Sequence, residues 1–107
     1  MIWTIRKEEK YQLYSPLFSK EKELNNALLE LQNSENKIVD MSSLTISDSS
    51  IELLAKVYEH HLSLHISLIV VVSSFENMDR LEEHFVVVPS ISEAIDYIYM
   101  EELERNV

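Results

Sequence analysis

Ile66 to Val72 (I-S-L-I-V-V-V) is a nearly unbroken apolar run in which five of seven residues are β-branched. Such a strand has no face suited to water. It must be covered from both sides, as a central strand of a parallel sheet is. The crossovers of such a sheet are helices, and the flanking sequence supplies them. Leu24, Ala27, Leu28 and Leu31 recur at helical spacing in a segment from Ser19 to Gln32, with Ser19 placed to cap it. Ile51, Leu54, Ala55, Tyr58 and Leu62 form a second stripe, and Phe75, Met78 and Leu81 a short third. Ile91, Ala94, Ile95, Ile98 and Leu103 form the fourth. Lys37–Met41 is a compact strand after the turn N-S-E-N, and Phe85–Val88 is another, stopped by Pro89. Ahead of these, Ile2–Arg6 and Tyr11–Ser15 read as a hairpin or two successive strands.

From residue 19 onward the order is α-β-α-β-α-β-α with short connections. Strands alternating with helices imply a mainly parallel sheet with right-handed crossovers. The expectation is one α/β domain over residues 1–107, with four or five strands, a hairpin-like N-terminal pair and about four helices. A chain of this length buries roughly 60–70% of its extended surface, enough for a core without disulfide or metal.

Composition removes several function classes. There is no Cys, hence no disulfide or thiolate site, which fits a reducing, cytoplasmic location. There is no Gly either, where average usage near 7% would give about seven. The dinucleotide fingerprint, the Walker loop and the nucleophile elbow all need Gly and are missing. Net charge is −10, and residues 51–107 hold 11 acids against three Lys or Arg. Such a chain repels nucleic acid and anionic membranes, and suits a basic patch on another protein. No apolar run approaches the ~18 residues of a membrane span, and the N-terminus does not read as a secretory signal.

Serines open the helices. Ser49 with Glu52, Ser90 with Glu93 and Ser73 with Glu76 all fit the capping box S-x-x-E. The same Ser49 is a candidate for modification, and spacing alone leaves both readings open. His60, His61 and His65 read as solvent-facing residues without a third metal ligand, so no metal or cofactor is expected. Glu101, Glu102 and Glu104 end the last helix, where acids oppose the helix dipole unless they face a cation. No local arrangement brings Ser, His and Asp together, and paired carboxylates are adjacent in sequence, so catalysis is not expected.

The segment Lys37 to Tyr58 (K-I-V-D-M-S-S-L-T-I-S-D-S-S-I-E-L-L-A-K-V-Y) resembles the core of the STAS family, the anti-sigma-factor antagonists and related regulatory domains. Asp48-Ser49-Ser50 stands where that family carries D-S-S at the start of a helix. Element order extends the resemblance over nearly the whole chain. The ending Val86 to Arg105 is similar to that of short STAS-like bacterial proteins. Some of those carry the name ribonuclease Z, but the H-x-H-x-D-H motif of that nuclease is absent here. The resemblance implies a regulatory module that binds a protein, such as an anti-sigma-factor-like serine kinase or another regulator with a basic patch. It also implies Ser49 as the phosphorylated position. The contact surface would comprise Thr45, Ser47, Asp48, Ser49, Ser50 and Glu52. The alternative is a structural or assembly subunit, or a homodimer, that uses the acidic C-terminal helix.

Overall fold

A computed structural model of the chain describes residues 2–19 and 21–106. The elements are β1 (Trp3–Lys7), β2 (Gln12–Pro16), α1 (Glu21–Leu28), β3 (Lys37–Asp40), α2 (Asp48–Ser63), β4 (Leu68–Val71), α3 (Phe75–Leu81), β5 (Val87–Val88) and α4 (Ile91–Arg105). They form a five-stranded sheet in the order β1-β2-β3-β4-β5. β1 and β2 are antiparallel, with Trp3 opposite Pro16, and every later pair is parallel. The α/β fold with a mainly parallel sheet and four helices is therefore as expected.

Strands added in one direction by right-handed crossovers place each connecting helix on the same face of the sheet. The two cores follow that geometry. On one face Tyr14, Val39, Leu68, Val70 and Val72 pack with α1 and α2. On the other, Leu13, Ile38, Ile69 and Val71 pack with Ala94 and Ile98 of α4. Successive strand residues thus serve opposite layers.

Trp3 locks the N-terminal pair to α1. Its ring stands edge-on to Tyr14 and Phe18, with centroids 5.8 and 5.3 Å away. Its Nε1 donates to the Ala27 carbonyl at 2.9 Å. That carbonyl also takes the Glu30 N–H, in a run of i→i−3 bonds that closes the helix early. α1 consequently stops at Leu28 and not at Gln32, although Leu31 is still buried. The expected cap at Ser19 depends on residue 20, which lies outside the described residues.

Three further expectations are corrected. β5 spans only Val87–Val88, not Phe85–Val88. On α2 the buried set is Ser50, Ile51, Leu54, Val57 and His61, whereas Leu62 is half-exposed. On α4, Leu103 is 70% exposed because the inward positions of the last turns are occupied by polar groups. The chain passes from α2 into β4 through His65, which adopts a left-handed φ of 59° without being glycine.

His61 was expected in solvent and is fully buried beside an equally buried Lys37. The Lys37 ammonium donates to the Asn33 and Glu35 carbonyls at 2.6 and 2.9 Å and lies 2.7 Å from His61 Nε2. Lysine only donates, so Nε2 accepts, and Nδ1 carries the proton toward the Val57 carbonyl at 2.7 Å. The group is buried and fully paired. Burial pushes His61 down to about 4, against the pull of the Val57 carbonyl and with further push from the Lys37 charge. Burial likewise lowers Lys37 to about 8, against the pull of Glu35.

Between its ordinary pKa of 6.5 and about 4, the unfolded chain protonates His61 while the folded chain does not. Stability contributed here is present above pH 6.5 and is lost as pH falls through 4. Urea unfolding of wild type and His61→Gln should therefore show a stability gap that narrows from pH 6.5 to pH 4. A gap that stays constant over this range would contradict the assignment.

Candidate functional site

The junction between β3 and α2 is built from short polar side chains on apolar anchors. Asp40 Oδ1 accepts the Ser42 N–H at 3.1 Å and the Ser42 hydroxyl at 2.6 Å, turning the chain out of the sheet. Leu44 and Ile46 are buried and pin the loop, while Thr45 between them is exposed. Ser47 then starts α2, with extended backbone and its Oγ accepting the Ser50 N–H. The cap is thus Ser47, not Ser49 with Glu52 as the spacing had suggested. The expected cap is also displaced at α3, by one residue, to Ser74 from Ser73. Ser90 caps α4 as expected, its Oγ accepting the Glu93 N–H at 3.2 Å.

Moving the cap to Ser47 frees Ser49. Its hydroxyl is exposed and lies 3.0 Å from Ser47 Oγ. Ser47 Oγ donates to Ser50 Oγ at 3.2 Å, and Ser50 Oγ donates to Asn25 Oδ1 of α1 at 3.0 Å. Because each hydroxyl has one proton, Ser49 is the donor to Ser47, and a relay runs from the surface to α1. Ser50 itself is 1% exposed. It ties α1 to α2 and does not reach the surface.

Asp48 is the first helical residue, where the dipole favours a carboxylate. Its side chain is 97% exposed and meets Arg80 of α3 at 3.1 Å. A pair so open to solvent contributes little to stability. It does hold two helices at one rim, around a shallow cleft of about 370 Å³ lined by Asp48, Ile51, Glu52, Arg80 and His84. Arg80 was not singled out from the sequence. The available signal was its isolation as the sole Lys or Arg between Lys56 and Arg105.

Neither a protein-family model nor a curated protein sequence matches the chain. Solved structures do. An anti-sigma factor antagonist from Mycobacterium paratuberculosis superposes with a TM-score of 0.71 at 15% identity, over 91% of this chain and 92% of the other. RsbS from Moorella thermoacetica, carrying a serine-to-glutamate substitution, gives 0.72 at 14% identity, over 96% and 97%. The anti-sigma factor antagonist SpoIIAA in its unphosphorylated form gives 0.59 at 14% identity, over 91% and 97%. The chain has the STAS fold.

Within this STAS fold the junction displays Thr45, Asp48, Ser49 and Glu52 on one exposed rim, with Ser47 half-buried beneath them. The acids at the end of α4 lie elsewhere and are partly spoken for. Glu102 accepts from Asn36 Nδ2 and Glu101 from Ser67 Oγ, both at 2.6 Å. Arg105 approaches the same two carboxylates at 3.6 and 3.9 Å, and Glu104 points outward. Among the described residues no group of three or more His, Cys, Asp or Glu is placed to hold a metal.

Ser47→Ala should lower stability by about 1 kcal/mol, the usual effect of losing a cap. Ser49→Ala should stay within about 0.5 kcal/mol of wild type, as surface substitutions do. Urea denaturation of both variants tests the assignment, and the reverse order would restore Ser49 as the cap.

Proposed function

We propose that this chain is a non-enzymatic regulatory module of the cytoplasm that binds a protein partner through the N-terminal end of α2. The observation that carries the reading is an exposed Ser49 hydroxyl that is free of capping duty, set between two acids on a STAS frame. Thr45, Asp48, Ser49 and Glu52 offer hydrogen-bond groups to the partner, Ser47 supports them, and Ser50 fixes the rim to α1. The acidic balance of the C-terminal half steers a partner with a basic patch, such as an anti-sigma-factor-like serine kinase.

Ser49 is the switch in this reading. A phosphate brings about −1.5 to −2 charges and no proton to donate. It would sit between Asp48 and Glu52, with Arg80 already engaged by Asp48. Like charges in that setting alter the face shown to the partner, and the ester oxygen cannot feed the hydroxyl relay.

The test is affinity purification from the native cell with wild type, Ser49→Ala and Ser49→Asp as baits, followed by mass spectrometry. A partner kept by the first two and held roughly tenfold or more weakly by Asp, ~1.4 kcal/mol, supports the reading. Equal capture by all three baits places the interface on another face.

A further inference from the structure

A cleft of about 500 Å³ follows the open side of β5. β5 is the last strand of the sheet, and among the described residues no strand pairs with its outer side. The Val70 and Val72 N–H groups donate to the Val86 and Val88 carbonyls at 3.0 and 3.1 Å. In a parallel ladder this arrangement turns the N–H and carbonyl of Val87 outward, toward the cleft. Tyr58 of α2 forms one wall and Tyr97 of α4 the other, so that the edge lies between two half-buried aromatic rings, one from each helical layer.

The cleft is electrically one-sided. Glu82 and Glu83 are exposed at its rim beside His84, and among the described residues no Lys or Arg lines it. Burial raises the pKa of both Tyr58 and Tyr97, and the nearby Glu101 carboxylate raises each further. Backbone groups without a strand partner, flanking apolar rings and an acidic rim together describe a receptor for one chemical shape.

We propose that the edge of β5 binds an extended, positively charged segment of a partner protein, which joins the sheet as a sixth strand. Main-chain bonds to Val87 set the register of such a segment, and alternate side chains fall toward Tyr58 and Tyr97. Its basic residues meet Glu82 and Glu83. A two-residue strand makes a short ladder, so the rings and the charges supply most of the selectivity. A second copy of the chain is the poorer occupant, because each copy carries a net charge of −10. His84 lines both this cleft and the one at the α2 rim, so the two surfaces adjoin, but neither proposal requires the other.

The probe is an octapeptide of alternating lysine and valine, titrated into the full chain by calorimetry and by amide NMR. Two controls accompany it: the same peptide with every backbone nitrogen methylated, and an alternating glutamate–valine peptide. The lysine peptide should shift the Val86–Val88 amides and slow exchange at Val87, and both controls should bind roughly tenfold or more weakly. Val87→Pro removes the outward N–H, a loss that an edge strand tolerates, along with a side chain packed against the core, and should weaken binding by a similar factor. Should that variant fail to fold, Glu82→Lys with Glu83→Lys must weaken binding instead. The proposal is overturned by no binding, by shifts that gather at the α2 rim or the outer face of α4, or by a methylated peptide that binds as well as its parent. Protection of Val87 that grows with protein concentration alone would assign the edge to a second copy and overturn it equally.

Discussion

Ile38 and Ile69 face one helical layer while Val39 and Val70 face the other, and all four are closed to water. Two adjacent parallel strands with no wet face oblige the rest of the chain to build two covers. Three crossover helices serve one side, and α4 must return across the other because no further crossover is available to do so. Apolar burial at roughly 25 cal/mol per Å² is the main stabilising term for such an arrangement. The site inherits its position from this constraint. α2 begins a short loop beyond the end of β3, so its first turn is held at the rim of the sheet.

The other end of the sheet is closed by polar groups. Asn36 donates to the Lys10 carbonyl and to Glu102, and accepts the Ser67 N–H. Ser67 Oγ donates to Glu101 and receives Arg105 NH2 at 2.9 Å. Carboxylates near a helix C-terminus are unfavourable by the dipole alone. Here their cation is in the same chain, and their other partners are side chains of the loops they fasten. The acids that suggested an external basic partner are thus explained in part from within. Lys37 and His61 play a corresponding role under α2, where a buried charge is held by carbonyls and one imidazole. Removing one member of such a group costs more than the pair contributes, since the other is left buried and unpaired.

Element order was legible because hydrophobic periodicity reports burial directly. Leu24, Ala27, Leu28 and Leu31, or Ala94 and Ile98, were found on the expected sides for that reason. The failures are positions where a polar residue takes an inward place. His61 displaced Leu62 from the stripe of α2 because Lys37, itself read as a strand residue, offered it a buried donor. Leu103 turned outward because Glu101, Glu102 and Arg105 held the inner face. The caps failed in serine-rich runs: Ser47 and Ser74 are followed three residues on by Ser50 and Asn77, not Glu, so S-x-x-E pointed to Ser49 and Ser73 while backbone conformation selected the other serine. At the rim, Asp48, Ser49 and Glu52 were legible as exposed polar residues at a helix start. Arg80 and Asn25 were not, because each arrives from a helix distant in sequence, and a single chain carries no record of that proximity.

The hydroxyl relay from Ser49 through Ser47 and Ser50 to Asn25 has a polarity, since every member hands its proton inward. A group at residue 49 that can only accept does more than add charge. It breaks the parity of the chain: Ser47 must then turn its proton outward, and Ser50 loses a donor. Asn25 lies on α1, whose end is fixed by Trp3, so the disturbance terminates on a helix with little freedom to absorb it. The rim therefore has two distinguishable states of proton order, and a partner resting on both helices would sense which of them is present.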